Sequence, residues 1–183
     1  MSDKKIRTMV MAAVLAALAC VATMVVQIPS PMNGYVNLGD CFVLLSGWLL
    51  GPWYGGAAAG IGSMLTDLLS GYGYYAPGTF IIKGLDALVA ALIFKAMGRT
   101  SVAAIVSGVV GEIIMVVGYS LGRAFIYSTV EYALLKLPFQ ILQAAVGAIV
   151  AMVLCFARGW PTKRYKTWDD AQAPPHVILY WQK

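Results

Sequence analysis

Between residues 6 and 156 the chain is a succession of apolar stretches, and its polar residues gather mainly at the joints between them. Six stretches can be drawn: 6–28, 38–50, 54–69, 77–97, 101–121 and 132–156. A helix crossing the hydrocarbon core of a bilayer needs about 20 apolar residues, and four of the six reach that length. The second and third are short and are divided by Gly51-Pro52-Trp53-Tyr54-Gly55-Gly56, a tight turn flanked by aromatics that suit a membrane interface. Two tilted or partly sheltered spans fit this pair better than one re-entrant loop. Only 11% of the 183 residues are charged and 60% are hydrophobic, about half the charge of an ordinary soluble domain. One core cannot hide that much apolar surface, so lipid has to act as part of the solvent. The expected fold class is an all-α membrane protein with six transmembrane helices.

Lys and Arg orient it. Six spans place both ends on one side, which then collects Lys4, Lys5, Arg7, Lys95, Arg99, Arg158, Lys163, Arg164 and Lys166. The opposite side receives Arg123 and Lys136, with Lys83 at or just inside the interface. By the positive-inside rule both termini are cytoplasmic. The net charge of +5 is explained by that asymmetry, and no nucleic-acid partner is expected. The first apolar run is longer than the h-region of a signal peptide and is read as a retained helix. A membrane domain over 1–158 is therefore expected, followed by a polar cytoplasmic tail over 159–183. Two exterior loops stand out: 27–37, with two prolines and a glycine, and 70–76, dominated by glycine and tyrosine.

Ionisable groups within spans are costly, about 2.5–3.5 kcal/mol even on permissive scales, so they mark structural pairs or a functional path. Asp40, Asp67 and Lys83 fall at similar depth on the exterior side. They are expected to form an Asp–Lys–Asp clamp tying the second, third and fourth helices, and Lys83 or Asp40 can also touch a polar ligand. Asp86 lies three residues beyond Lys83, where local pairing competes with any ligand role. Glu112 sits mid-span with no local base, so it must face the bundle interior, carry a proton, or meet a ligand or water. Gln140 and Gln143 share a face of the sixth helix, where glutamines either bond neighbouring helices or contact a solute. Tyr119, Arg123 and Tyr127 offer rings and a donor at the outer end of the fifth helix.

Small residues make a second pattern. Ala12, Ala13, Ala16 and Ala17 recur at four-residue spacing on the first helix, as do Gly55, Ala59 and Ser63 on the third. Such rows let helices approach closely, either inside the bundle or against another membrane protein. Cys20, Cys41 and Cys155 have no metal-ligand spacing and read as packing residues, and no metal site is expected. There is no GxxxxGK[ST] sequence and no credible Ser/His/Asp or Cys/His arrangement. An intramembrane enzyme would have to rely on Asp67, Asp86 or Glu112. A chain this small, without an ATPase motif, suits one subunit of a larger machine.

Three stretches carry a family resemblance: the alanine-rich Met11-Ala12-Ala13-Val14-Leu15-Ala16-Ala17; then Tyr35-Val36-Asn37-Leu38-Gly39-Asp40 with the following Gly51-Pro52 turn; then 67–75 and Pro77-Gly78-Thr79-Phe80-Ile81-Ile82-Lys83-Gly84. With these the chain resembles the substrate-specific S components of energy-coupling factor (ECF) transporters, most closely the riboflavin/pyridoxine/hydroxymethylpyrimidine-type branch. The resemblance implies an S-component-like six-helix bundle without catalysis, in a bacterial inner (cell) membrane. It implies an outward pocket for a small-molecule vitamin, lined by helices four to six and roofed by the first exterior loop. It also implies partners: an EcfT-like membrane scaffold, docked through Ala12, Ala16, Ala13 and Ala17, and two ATPase subunits that use the ATP. No cofactor of this chain's own is implied.

The expected substrate contacts are Asn33, Asn37, Tyr74, Tyr75, Lys83, Glu112, Tyr119, Gln140 and Gln143. Rings and amides suit a small, flat, mostly neutral heteroaromatic bearing hydroxyls. Acids outnumber bases at depth, which disfavours an anionic ligand. A pyridoxine- or hydroxymethylpyrimidine-like solute is expected first and riboflavin second. A non-transporting membrane subunit that docks through its alanine face is the alternative from another class.

Overall fold

The computed structural model describes residues 3–30 and 34–157. Six α-helices follow one another: α1 (Asp3–Val25), α2 (Gly39–Leu50), α3 (Pro52–Leu69), α4 (Ala76–Ala96), α5 (Ser101–Gly122) and α6 (Val130–Ala157). They match the six apolar stretches to within about three residues at each end, inside the usual uncertainty of helix boundaries. The loop expected over 27–37 contains two short strands. β1 (Gln27–Ser30) and β2 (Gly34–Asn37) form an antiparallel hairpin with Gln27 opposite Asn37.

Local chemistry sets the joints. The Asn37 Oδ1 accepts a hydrogen bond from the Gly39 amide at 2.9 Å, tying the hairpin to the start of α2. Pro52 takes the first position of α3, where its missing N–H costs nothing. Thr100 caps α5 by accepting from the Ala103 amide at 3.2 Å. The end of α5 widens into a π-helical turn over Arg123–Tyr127, closed by the Ser128 amide on the Arg123 carbonyl at 2.8 Å.

Four helices are long and apolar enough to cross a bilayer unaided: α1, α4, α5 with its π turn, and α6. α2, with 12 residues, is about 18 Å long at the helical rise. It is short because it is central. Ten of its residues are buried, and it packs against α1, α3, α4 and α6. Its Trp48 meets Phe94 of α4 at 5.8 Å between ring centroids, and the Trp48 Nε1 donates to the Ser107 hydroxyl of α5 at 3.0 Å. Lipid therefore solvates the outer helices, while α2 is solvated by protein. The other face of the bundle is the converse: Met9, Val10, Val14, Val21, Ile113, Val117, Ile149 and Val153 are among many exposed apolar side chains, as a lipid-facing surface requires.

The alanine row of α1 divides between the two environments. Ala16 is buried and Ala12 half-buried, in a cluster with Leu15, Leu50 and Ala58. Gly62 of α3 lies so close that a Cβ there would sit 2.9 Å from the Ala16 Cα. Ala13 and Ala17 face outward. Ala16, expected in the partner surface, is thus internal packing between α1 and α3, Ala12 stands half-buried beside it, and the outward half of the row is Ala13 and Ala17.

Candidate ligand-binding site

At the hairpin end of the bundle a cavity of about 130 Å³ opens among all six helices. α1 supplies Thr23, and the end of β2 supplies Asn37. α2 and α3 contribute Asp40, Ser63 and Asp67. Tyr72 and Tyr75, from the turn before α4, stand with Thr79 and Lys83 of α4 itself. α5 adds Met115 and Tyr119, and the π turn adds Arg123. α6 presents Tyr132, Lys136, Phe139, Gln140 and Gln143.

One wall is a polar network. Lys83 forms a buried ion pair with Asp40, whose other oxygen accepts from the Gln143 amide at 2.8 Å. The Thr79 hydroxyl donates to Asp67 and accepts from the Tyr119 hydroxyl at 3.1 Å. The Tyr119 ring lies between two cations, with the Lys83 Nζ 5.6 Å and the Arg123 guanidinium 5.4 Å from its centroid, a distance at which the ring quadrupole attracts positive charge. Tyr75, which lines the cavity, packs against Tyr127 at 4.7 Å, and Tyr74 packs against both.

Of the expected contacts, Asn37, Tyr75, Lys83, Tyr119, Gln140 and Gln143 converge on this cavity. Asn33 lies outside the described residues. Tyr74 does not line the cavity. It is 66% exposed and its hydroxyl reaches the Ile126 carbonyl at 3.4 Å, so it braces the π turn from outside. Glu112 is buried below the cavity, in the bundle interior, where Gly147 makes room for it and for Asp40: a Cβ at 147 would come within 2.7 Å of the Asp40 Cβ and 3.2 Å of the Glu112 Oε1. The clamp also differs from expectation. Asp40 pairs with Lys83, whereas Asp67 bonds Thr79, one helical turn before Lys83 on α4. Asp86 is fully buried and has no hydrogen-bond partner among the described residues, so the local pairing with Lys83 does not form.

Sequence reasoning missed Thr23, Ser63, Tyr72, Thr79, Met115, Tyr132, Lys136 and Phe139 as cavity residues, and offered Arg123 as a donor without placing it among the substrate contacts. Thr79 was legible in principle, being four residues before Lys83 on one helix face. Tyr132, Lys136, Phe139, Gln140 and Gln143 form a continuous stripe at helical spacing along α6 and carry the same signal. The charge balance also changes: the cavity wall holds two carboxylates, Asp40 and Asp67, against three cations, Lys83, Arg123 and Lys136.

Comparison with known proteins gives this geometry its place. The chain is similar to a solved structure of the S component of a bacterial ECF transporter, with a TM-score of 0.70, 23% identity, and coverage of 84% of this chain and 95% of that one. It is 38% identical over 132 residues to a protein of Pyrococcus woesei described as an uncharacterized protein in a gap 3′ region, covering 71% of this chain and 86% of that protein. Residues 3–158 match the model of the family described as ECF-type riboflavin transporter, S component. The chain belongs to that family: it is an integral membrane, substrate-binding subunit of an energy-coupling factor transporter, and not an enzyme.

Proposed function

We propose that this chain captures a small water-soluble vitamin or vitamin precursor, of pyridoxine- or hydroxymethylpyrimidine-like size, from outside the cell. It then delivers the solute in concert with an EcfT-like scaffold and two ATPase subunits, which use the ATP; the chain itself holds no cofactor. Both termini lie in the cytoplasm, a reading supported by the Lys and Arg asymmetry, and the cavity faces out. The observation that carries the substrate class is the lining of the cavity. Riboflavin, the solute named in the description of the family, is the alternative. Aromatic rings beside hydroxyl, amide and charged groups suit a heteroaromatic ring with polar substituents.

Purified protein extracted with organic solvent should release one such compound, identified by mass spectrometry. Equilibrium titration across a vitamin panel should then find that compound binding tightly, with no ATP hydrolysis by the isolated chain. A panel in which nothing binds at micromolar concentration would remove the vitamin-capture reading and favour a docking subunit without a solute.

A further inference from the structure

Below the cavity the bundle encloses carboxyl groups that its hydrogen bonds do not use. Asp86 follows Lys83 by three residues on α4, and Glu112 belongs to α5, which packs against α4. Asp86 is wholly buried and Glu112 is 4% exposed. None of their four carboxyl oxygens has a hydrogen-bond partner among the described residues. Two glycines make room for them. A Cβ at position 111 would run into the Asp86 Oδ1, and one at position 147 would come within 3.2 Å of the Glu112 Oε1.

The titratable groups that face this pair come from two elements. α2 brings Asp40 and Cys41, and α4 brings Lys83, whereas α6 meets the pair at Gly147. Lys83 is already paired with Asp40, so one positive and one negative charge cancel. Ionising Asp86 and Glu112 would add two negative charges among groups that offer them no donor. An ionised carboxyl costs far more in such surroundings than a neutral one, and a proton on each removes that charge. A proton needs no coordination shell. A metal ion does, and among the described residues no three His, Cys, Asp or Glu side chains are placed to hold one.

We propose that Asp86 and Glu112 form a proton-binding site beneath the ligand cavity, each holding a proton at neutral pH, which leaves the Lys83 ammonium to Asp40. Lys83 links this site to the cavity, because it also lines the cavity wall. Either acid, once ionised, competes with Asp40 for the ammonium, and the wall built from Asp40, Lys83 and Gln143 loses its ion pair. The site goes beyond the vitamin-capture reading and does not depend on which solute is bound.

Infrared spectroscopy of the full chain in detergent tests it, because a protonated carboxyl group has a C=O stretch distinct from that of a carboxylate. The wild-type protein should show this band at neutral pH. Asp86→Asn and Glu112→Gln should each remove part of it, and the double variant most of it. Thermal unfolding gives a second readout. The folded chain holds protons that unfolded carboxyl groups, which titrate near pH 4, have released. Raising the pH from about 6 to about 9 therefore favours the unfolded chain, and the unfolding temperature should fall. In the double variant that fall should shrink by about half or more, with the unfolding temperature at neutral pH within about 3 °C of the wild type. A wild-type protein without the protonated band at neutral pH overturns the proposal before any variant is made. So does a band that only one of the two substitutions reduces. An unfolding temperature about 10 °C lower in either single variant also overturns it, since that marks an ionised group paired with Lys83.

Discussion

Lys83 sits where three helices meet, buried beside Asp40 and over Tyr119. An ion pair at this depth does little for net stability compared with an apolar pair, but removing one partner strands the other, at a cost of about 3–5 kcal/mol. Lys83→Met should therefore lower the unfolding temperature in detergent by several degrees. Lys83→Met combined with Asp40→Asn should recover most of the loss, because Asn keeps an acceptor for Gln143 and carries no charge. A double variant no more stable than the single one would mean that the stranded carboxylate is not the source of the damage. Tyr119→Phe is a gentler probe. It deletes the hydroxyl that donates to Thr79 at 3.1 Å and leaves the ring between its two cations, so unfolding should shift by about 1 kcal/mol. Loss of the whole ring interaction, in Tyr119→Leu, should weaken solute binding further than Tyr119→Phe does.

At the scale of elements, α1 faces two solvents, and its alanines tell them apart. Ala16 lies against the backbone of Gly62, so Ala16→Leu inserts atoms where there is no room and should cost about 1–3 kcal/mol in thermal unfolding. Ala13 and Ala17 are exposed, so enlarging them should change stability by no more than about 0.5 kcal/mol. If the outer face of α1 docks the scaffold subunit, Ala13→Leu with Ala17→Leu should nevertheless abolish its co-purification. Unchanged recovery of the partner would move the docking surface to another helix. The π turn at the end of α5 matters in the same way. The Ser128 amide bonds back five residues to Arg123, and the extra residue within the turn changes the direction in which the following side chains leave the helix. Such turns recur at functional sites, and here it ends a spanning helix at the mouth of a cavity.

The whole molecule is a bundle that is apolar outside and polar at one end. Membrane orientation is a property of that whole, and labelling tests it. With Cys20, Cys41 and Cys155 buried, Ser70→Cys should react with a membrane-impermeant thiol reagent added outside intact cells, whereas Met97→Cys should react only after the membrane is opened. The reverse pattern would invert the topology and turn the cavity to the cytoplasm. The apolar runs by themselves determined the number and limits of the helices, because a segment immersed in lipid must satisfy its backbone internally and only a helix does so in one stretch. The Lys and Arg pattern made an orientation legible, and the cost of charge in a membrane picked out Asp40, Asp67 and Lys83. Similar depth also joined Asp40 to Lys83, 43 residues away, and that ion pair forms; what needed the tertiary structure was the partner of Asp67, which is Thr79 and not Lys83. The same holds for Glu112, which is as costly in sequence as Lys83 but is turned into the bundle below the cavity. It holds for Lys136, read only as a charge at the interface until α5 and α6 brought it to the same cavity as Arg123. Periodicity reports the faces of single helices, and a binding site is made where the faces of several helices meet.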